Sequence, residues 1–113
     1  MSKDCLFCRI ARGEIPADIV MQNEDAIAFR DISPKAPTHI LVIPKKHVES
    51  LDHADDSVDL GGLMRTAADV ARQEGLAEPG YRIVVNTGAH GGQTVDHLHL
   101  HILGGRHMTW PPG

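Results

Sequence analysis

DHLHLHILGG, residues 96–105, decides how the rest of the chain is read. His97, His99 and His101 alternate with Leu98, Leu100 and Ile102. Side chains in a strand alternate faces with a period of two, so the three histidines share one face and the three aliphatic residues the other. On an α-helix the same steps of two would spread the rings over about 200° of arc. The spacing therefore predicts a strand over 96–103, with its apolar face toward a core and its imidazoles toward a site. Packing imidazoles side by side makes protonation of all three costly. Clusters of perturbed titratable groups mark functional sites, whereas a single histidine on a solvated strand face would mean little. A neutral imidazole whose one nitrogen donates to a fixed acceptor presents the other as a nucleophile, and neighbouring rings can donate to an anion.

The segment just before the histidine row is Gly88-Ala89-His90-Gly91-Gly92-Gln93-Thr94. Its glycines let the main chain approach an anion closely, and its N–H groups and hydroxyl are suitable donors. By itself it reads equally as a surface turn or as a ligand cradle. Next to the histidines it suggests phosphate. Neither a Walker-type loop nor a dinucleotide fingerprint occurs.

Further out, CLFCRIARG reads as a short helix stopped by Gly13 and Pro16. DIVMQ and AIAFR are strands around the turn Gln22-Asn23-Glu24-Asp25, and HILVIP, residues 39–44, is a buried strand ended by Pro44. Residues 55–74 carry Leu60, Leu63, Met64, Ala67, Val70 and Ala71 at helical spacing. Asp55 or Asp56 can cap that helix, Gly61-Gly62 weakens it locally, and Gly75 suits its C-terminal end. YRIVVNTG, residues 81–88, reads as another strand. The order predicts an α+β domain, with an antiparallel sheet joined largely by hairpins, one long and one short helix, and the helices on one face.

The chain has 113 residues, which fits one domain over 1–113. Its 15 acidic and 11 basic residues give a net charge of −4, with no basic block beyond Lys45-Lys46. That balance argues against nucleic-acid binding through the phosphate backbone. No apolar stretch approaches the roughly 18 residues of a membrane span. MSKDCLFCRI lacks a signal-peptide pattern, so a cytoplasmic protein is the expectation. In a reducing compartment the C-x-x-C of Cys5 and Cys8 is a metal pair, a redox pair or two free thiols rather than a structural disulfide.

His97-Leu98-His99-Leu100-His101-Ile102-Leu103 resembles the histidine-triad (HIT) motif, His-φ-His-φ-His-φ-φ with φ apolar. FRDISPKAPTHILVIPKKH, GYRIVVNTG, GGQTVDHLHLHILGGR and the terminal WPPG resemble the Hint branch of that superfamily, so the likeness runs from Cys5 to Gly113. The resemblance implies a homodimer in which two antiparallel sheets of about five strands are joined, a common sheet size. It also implies a tail over 104–113 reaching the partner protomer. The implied activity is a hydrolase cleaving the P–N bond of purine nucleoside 5′-phosphoramidates through a nucleotidyl-histidine. The alternatives are a dinucleoside polyphosphate hydrolase, as in the Fhit branch, and a purine-nucleotide-binding regulatory or scaffold protein.

The resemblance also carries roles to particular residues. His99 is the nucleophile, with His101 and Thr94 as donors, and His39 orients His99 directly or through a carbonyl. Asp31 and Ile32 flank the nucleoside, the carboxylate suiting ribose hydroxyls. Asn86, Gly92, Gln93 and Thr94 lie near the phosphate, and Trp110 reaches the partner's site. Some relatives with an N-terminal C-x-x-C hold zinc, which here implies Cys5, Cys8, His47 and His97. That donor set suits a closed, structural Zn²⁺ site. Read alone, Asp31 is a turn former before Ser33-Pro34, Asn86 a satisfied structural amide, and His47 a solvated neighbour of Lys45 and Lys46. His53, His90 and His107 are read as surface residues. Asp96 stands where relatives often carry an aromatic residue, and strand alternation points it away from His97.

Overall fold

A computed structural model describes residues 5–113. Five strands, β1 (Ile19–Gln22), β2 (Ala26–Arg30), β3 (Thr38–Pro44), β4 (Arg82–Val84) and β5 (Leu100–Gly104), form one sheet in the order β1-β2-β3-β5-β4. Every neighbouring pair is antiparallel. Among the described residues three α-helices accompany it, α1 (Leu6–Ala11), α2 (Leu60–Gln73) and the single turn α3 (Gly88–Gly91), with a 3-10 turn at Leu51–His53. The α+β class and the five-stranded antiparallel sheet agree with the expectation from sequence.

β1, β2 and β3 form a meander. The β1–β2 turn is held by Asn23, whose side-chain oxygen accepts from the N–H groups of Asp25 (3.0 Å) and Ala26 (2.9 Å). The Asn23 amide donates to Thr66 Oγ1 at 3.1 Å, tying this turn to α2. After β3 the chain runs through α2 to the far edge as β4, and β5 then fills the gap between β3 and β4.

The two main helices lie on opposite faces of the sheet, not on one face as the element order suggests. Ala26, Ala28, Ile40, Val42, Leu100 and Ile102 point toward α2, meeting Leu63, Ala67, Val70 and Ala71. The alternate residues Ile27, Phe29, Leu41 and Ile43 meet Phe7 and Ile10 of α1. β2 and β3 are therefore buried on both sides, which explains their unbroken apolar runs.

Several boundaries differ from the sequence reading. α2 begins at Leu60 rather than 55. Its N-cap is Asp59, whose carboxylate accepts from Gly62 N–H at 2.8 Å. Asp55 instead accepts from the Ser57 N–H and hydroxyl. Gly75 does end the helix, at φ +76°, a left-handed conformation that favours glycine. β4 stops at Val84, and the glycine-rich stretch after it coils into α3. β5 starts at Leu100, so His97 and His99 precede the ladder. There the chain turns through His97 N–H to Val95 O (2.9 Å), and Leu98 N–H donates to Val48 O (2.6 Å) instead of pairing with β3. The alternation of faces survives: Leu98, Leu100 and Ile102 are in the α2-side core, and the imidazoles face the α1 side.

Candidate functional site

Each triad histidine meets a different acceptor or donor, and these partners set its tautomer. His97 Nε2–H donates to the Pro44 carbonyl at 2.8 Å, leaving the Nδ1 lone pair free. His99 Nδ1–H donates to the His97 carbonyl at 2.7 Å, leaving the Nε2 lone pair free. His101 Nδ1 lies 2.9 Å from His39 Nε2. His39 Nδ1 accepts from the Lys35 N–H at 3.0 Å, so its proton is on Nε2 and is given to His101. His101 must then carry its own proton on Nε2. That atom is shielded from solvent and has no partner among the described residues. An orphaned donor of this kind is costly unless a ligand completes it.

The sequence reading expected His39 to orient His99, directly or through a carbonyl. The structure pairs His39 with His101, because β3 and β5 put His39 opposite Leu103 and Leu41 opposite His101. The His39 ring reaches along the sheet to its diagonal neighbour, and His99 is held by its own backbone instead.

Burial favours the neutral form of His97, His101 and His39. Burial pushes His97 down to about 4, its bond to Pro44 opposing and nearby His47 and His99 adding. Burial likewise pushes His101 down to about 4, with His99 and His39 adding to the effect and Asp31 opposing it. His39 is lowered by burial, partly offset by Asp31.

His99 and His101 border a cleft of about 300 Å³ on the α1 side of the sheet. Its walls include Leu6, Phe7 and Ile10 from α1, Phe29 and Leu41 from the sheet, and Asp31, Ile32, Thr94, Val95, His99 and His101. Phe7 meets His99 edge-on with centroids 5.2 Å apart, and Phe29 at 5.5 Å. An apolar pocket ending in a few convergent polar groups is the usual build of a small-molecule site. A larger groove of about 480 Å³ lies near Asn23, Lys45, Lys46 and Asp59, but no histidine or cysteine lines it. The triad residues His99 and His101 line the smaller cleft.

The predicted residues divide by place. Asp31, Ile32, Thr94, His99 and His101 line the cleft, with Ile32 fully exposed at its rim. Asp31 Oδ1 accepts from the Ser33 N–H at 2.8 Å, the turn-forming role, while Oδ2 lies 3.5 Å from His39 Nε2. Gln93 turns away from the cleft. Its amide accepts from Gly88 N–H (2.9 Å) and donates to the Glu49 (2.6 Å) and Val95 (3.0 Å) carbonyls, holding the loop in shape. Gly92 caps α3 at φ +82°. Asn86 is half-buried beyond the end of β4, outside the cleft lining. Trp110 is 80% exposed, with the Arg82 guanidinium 5.8 Å over its ring, away from this chain's own cleft. His53, His90, His107 and Asp96 are exposed. Sequence reasoning missed Phe7, the residue that touches two triad rings. Its signal was scarcity: the chain has two phenylalanines, and one sits inside the C-x-x-C.

Cys5, Cys8, His47 and His97 bring four donor atoms within 4.8 Å of one another, a group that can hold a metal ion. Cys5 Sγ and Cys8 Sγ lie 3.3 and 3.5 Å from His97 Nδ1, and Cys8 Sγ lies 3.2 Å from His47 Nδ1. Burial, then the hydrogen bond with Cys5, pushes the Cys8 thiol up to about 11. A bound cation reverses that preference, because coordination deprotonates the thiol. Asp31, His39 and His101 also lie within 4.8 Å. There the His39 Nε2 proton is committed to His101, so that trio is a hydrogen-bond relay rather than a ligand set.

A five-stranded antiparallel sheet displaying three alternating histidines, two of them in a cleft, defines a histidine-triad protein. The chain belongs to the HIT family: the HIT domain matches residues 12–108. It is 50% identical over 108 residues to the purine nucleoside phosphoramidase of Escherichia coli K12, covering 94% of this chain and 91% of that one. It is 55% identical over 115 residues to an uncharacterized HIT-like protein of Synechococcus elongatus, over the full length of both. The crystal structure of a HIT family hydrolase from Legionella pneumophila matches with a TM-score of 0.94 at 53% identity, over 97% of this chain and 100% of that one.

Proposed function

We propose that the protein is a hydrolase that cleaves the P–N bond of purine nucleoside 5′-phosphoramidates. The observation that carries this reading is the His99 ring. Its Nδ1–H is fixed on the His97 carbonyl at 2.7 Å, so Nε2 is the free lone pair at the cleft. In the proposed reaction His99 Nε2 attacks phosphorus in line as the P–N bond breaks. The nitrogen leaves as an amine after gaining a proton. Water then cleaves the nucleotidyl-histidine, returning neutral His99 and releasing the nucleoside monophosphate. His101 Nε2–H, lacking any other partner, is the donor to the charge building on the phosphoryl oxygens, with Thr94 beside it. Asp31 receives the ribose hydroxyls, and Phe7, Ile10, Phe29 and Leu41 sandwich the base. Asn86, Gly92 and Gln93 act by shaping the phosphate loop.

For the cluster at α1 the proposed ion is zinc, held by Cys5, Cys8, His47 and His97. Zn–S and Zn–N bonds of about 2.3 and 2.0–2.1 Å at a tetrahedral angle put sulfur and nitrogen about 3.6 Å apart. The observed separations of 3.2, 3.3 and 3.5 Å are close to that edge. The His97 Nδ1 lone pair faces both sulfurs and Cys8 Sγ also faces His47 Nδ1, a convergence that one cation bound to all four atoms accounts for. Four protein donors leave no open position, so the role is structural. A metal content well below one zinc per chain, in protein purified without chelator, removes this assignment.

The assembly we propose is a homodimer of this single domain, 1–113, with the two sheets joined and the 104–113 tail placing Trp110 at the partner's site. The exposure of Trp110 (80%) and of Met64 (46%) on α2 supports it. The free thiols of Cys5 and Cys8 suit a cytoplasmic location. No helix among the described residues is long and apolar enough to cross a membrane.

The test is His99→Gly, assayed on adenosine 5′-phosphoramidate and by calorimetry with AMP. Turnover should vanish while AMP still binds. Full activity in the variant refutes the nucleophile assignment. Faster turnover of a diadenosine polyphosphate than of the phosphoramidate by the native chain refutes the substrate class.

A further inference from the structure

The Cys/His cluster and the cleft share two pieces of structure. The first is helix α1. Cys5 is its N-cap and Cys8 lies in its first turn, and Cys5 Sγ accepts from the Cys8 N–H at 3.4 Å. The same turn carries Leu6 and Phe7, and the next carries Ile10, all of them cleft wall. The second is the segment from His97 to His99. The His97 ring faces the sulfurs, while its backbone carbonyl holds His99. Phe7 bridges the two, with its ring 5.9 Å from His97 and 5.2 Å from His99.

α1 has six residues, well short of the roughly 12–15 an isolated helix needs in water. Its position therefore depends on what holds it to the sheet. Two contacts do so: the Phe7 and Ile10 side chains against Ile27, Phe29 and Leu41, and the donor cluster at its N-terminal end. An ion at the cluster joins α1 (Cys5, Cys8) to the segment after β3 (His47) and to the triad segment (His97).

We infer that metal binding at this cluster and nucleotide binding in the cleft are thermodynamically coupled, through α1 and the Phe7 wall it carries. This rests on the reading of the cleft as a nucleotide site. Cys5, Cys8 and His47 are then positioning residues, none of which lines the cleft. The sign is positive. A nucleotide meets a complete apolar wall only when α1 is docked, and an ion at the cluster favours the docked state. Coupling of binding free energies is reciprocal, so the nucleotide must hold the metal more tightly by the same factor.

The experiment uses the zinc-loaded protein. Zinc affinity is measured by competition with a chromophoric chelator, with and without saturating AMP, and AMP binding is followed separately by calorimetry. AMP should tighten zinc at least about fivefold, the lower end of usual coupling factors. In Phe7→Ala zinc should still bind one per chain, and the AMP effect should shrink toward none. Leu6→Ser, at a position 46% exposed and outside the core, is the milder second variant and should reduce the effect in part. Equal zinc affinity with and without AMP, while AMP binds, overturns the inference. Undiminished tightening in both variants overturns it as well, because the coupling then does not run through α1. Failure of the chain to take up zinc has the same consequence. If AMP binds to neither loaded nor stripped protein, the nucleotide reading itself falls, which is a separate and distinguishable result.

Discussion

Replacing His39 by alanine separates a relay from a direct contact. His39 is buried and lines no part of the cleft, yet its Nε2–H is the donor that leaves His101 with its proton on Nε2. Without it, the His101 Nδ1 lone pair loses its partner and the ring is free to shift its proton or turn. The loss in the transition state is then that of one orienting hydrogen bond, about 0.5–1.5 kcal/mol net. That converts to a fall in kcat of about 2–13-fold at 25 °C. His101→Ala removes the donor itself, and loss of one such donor costs about 10²–10³-fold. KM should change little in His39→Ala, because the cleft walls are intact. A histidine-resolved NMR titration supplies a second readout. His39 is among the causes that lower His101, and its removal also lets water toward the ring. The His101 pKa should therefore rise from about 4. If His39→Ala is as damaging as His101→Ala, or if it leaves both kcat and the His101 titration unchanged, the relay does not work as argued.

Two further outcomes follow from the same geometry. His101 is pushed down to about 4 in the fold, against about 6.5 in an unfolded chain, so between those values the unfolded chain takes up a proton that the native chain refuses. Stability should be full above pH 6.5 and fall as pH drops toward 4, measured as the urea midpoint against pH; a midpoint flat across that window contradicts the assignment. Asp59→Ala removes the carboxylate that caps α2 through Gly62 N–H and should cost about 1 kcal/mol, roughly 4 °C in Tm, without altering kcat; a shift of zero would mean the cap is replaced by solvent.

The fold was legible where patterning is local. The meander β1–β2–β3 could be read from two short apolar runs around Asn23 and a third ended by Pro44, and its bounds match within a residue. What failed was whatever a distant contact decides. Nothing near Leu100 in sequence says that the ladder begins there; Leu98 is drawn out of register by Val48, fifty residues earlier. Nothing in the order of elements says that α1 and α2 take opposite faces. That follows from the consecutive apolar runs over 26–29 and 40–43, whose alternate residues are buried on opposite faces of the sheet. The site behaved in the same way. Alternation placed the three imidazoles on one side, while the partner of each depended on strand pairing and on loop carbonyls that carry no side-chain signature.

That dependence explains how one repeated residue acquires three different roles. The strand period alone makes His97, His99 and His101 equivalent, and equivalent rings would compete for the same proton. The backbone breaks the symmetry. Pro44, at the end of β3, offers its carbonyl to His97 Nε2 and so turns Nδ1 toward the sulfurs. The bend before β5 carries the His97 carbonyl to His99 Nδ1, freeing Nε2 for the cleft. In the regular ladder such a carbonyl would be paired with the neighbouring strand, so the late start of β5 at Leu100 is what makes it available. His101 lies within the ladder, where a carbonyl is not to be had, and a histidine from β3 takes that place. The position at which pairing begins thus sorts the triad into a ring turned to the sulfurs, a free lone pair at the cleft and a donor, with burial keeping the first and the last neutral at physiological pH.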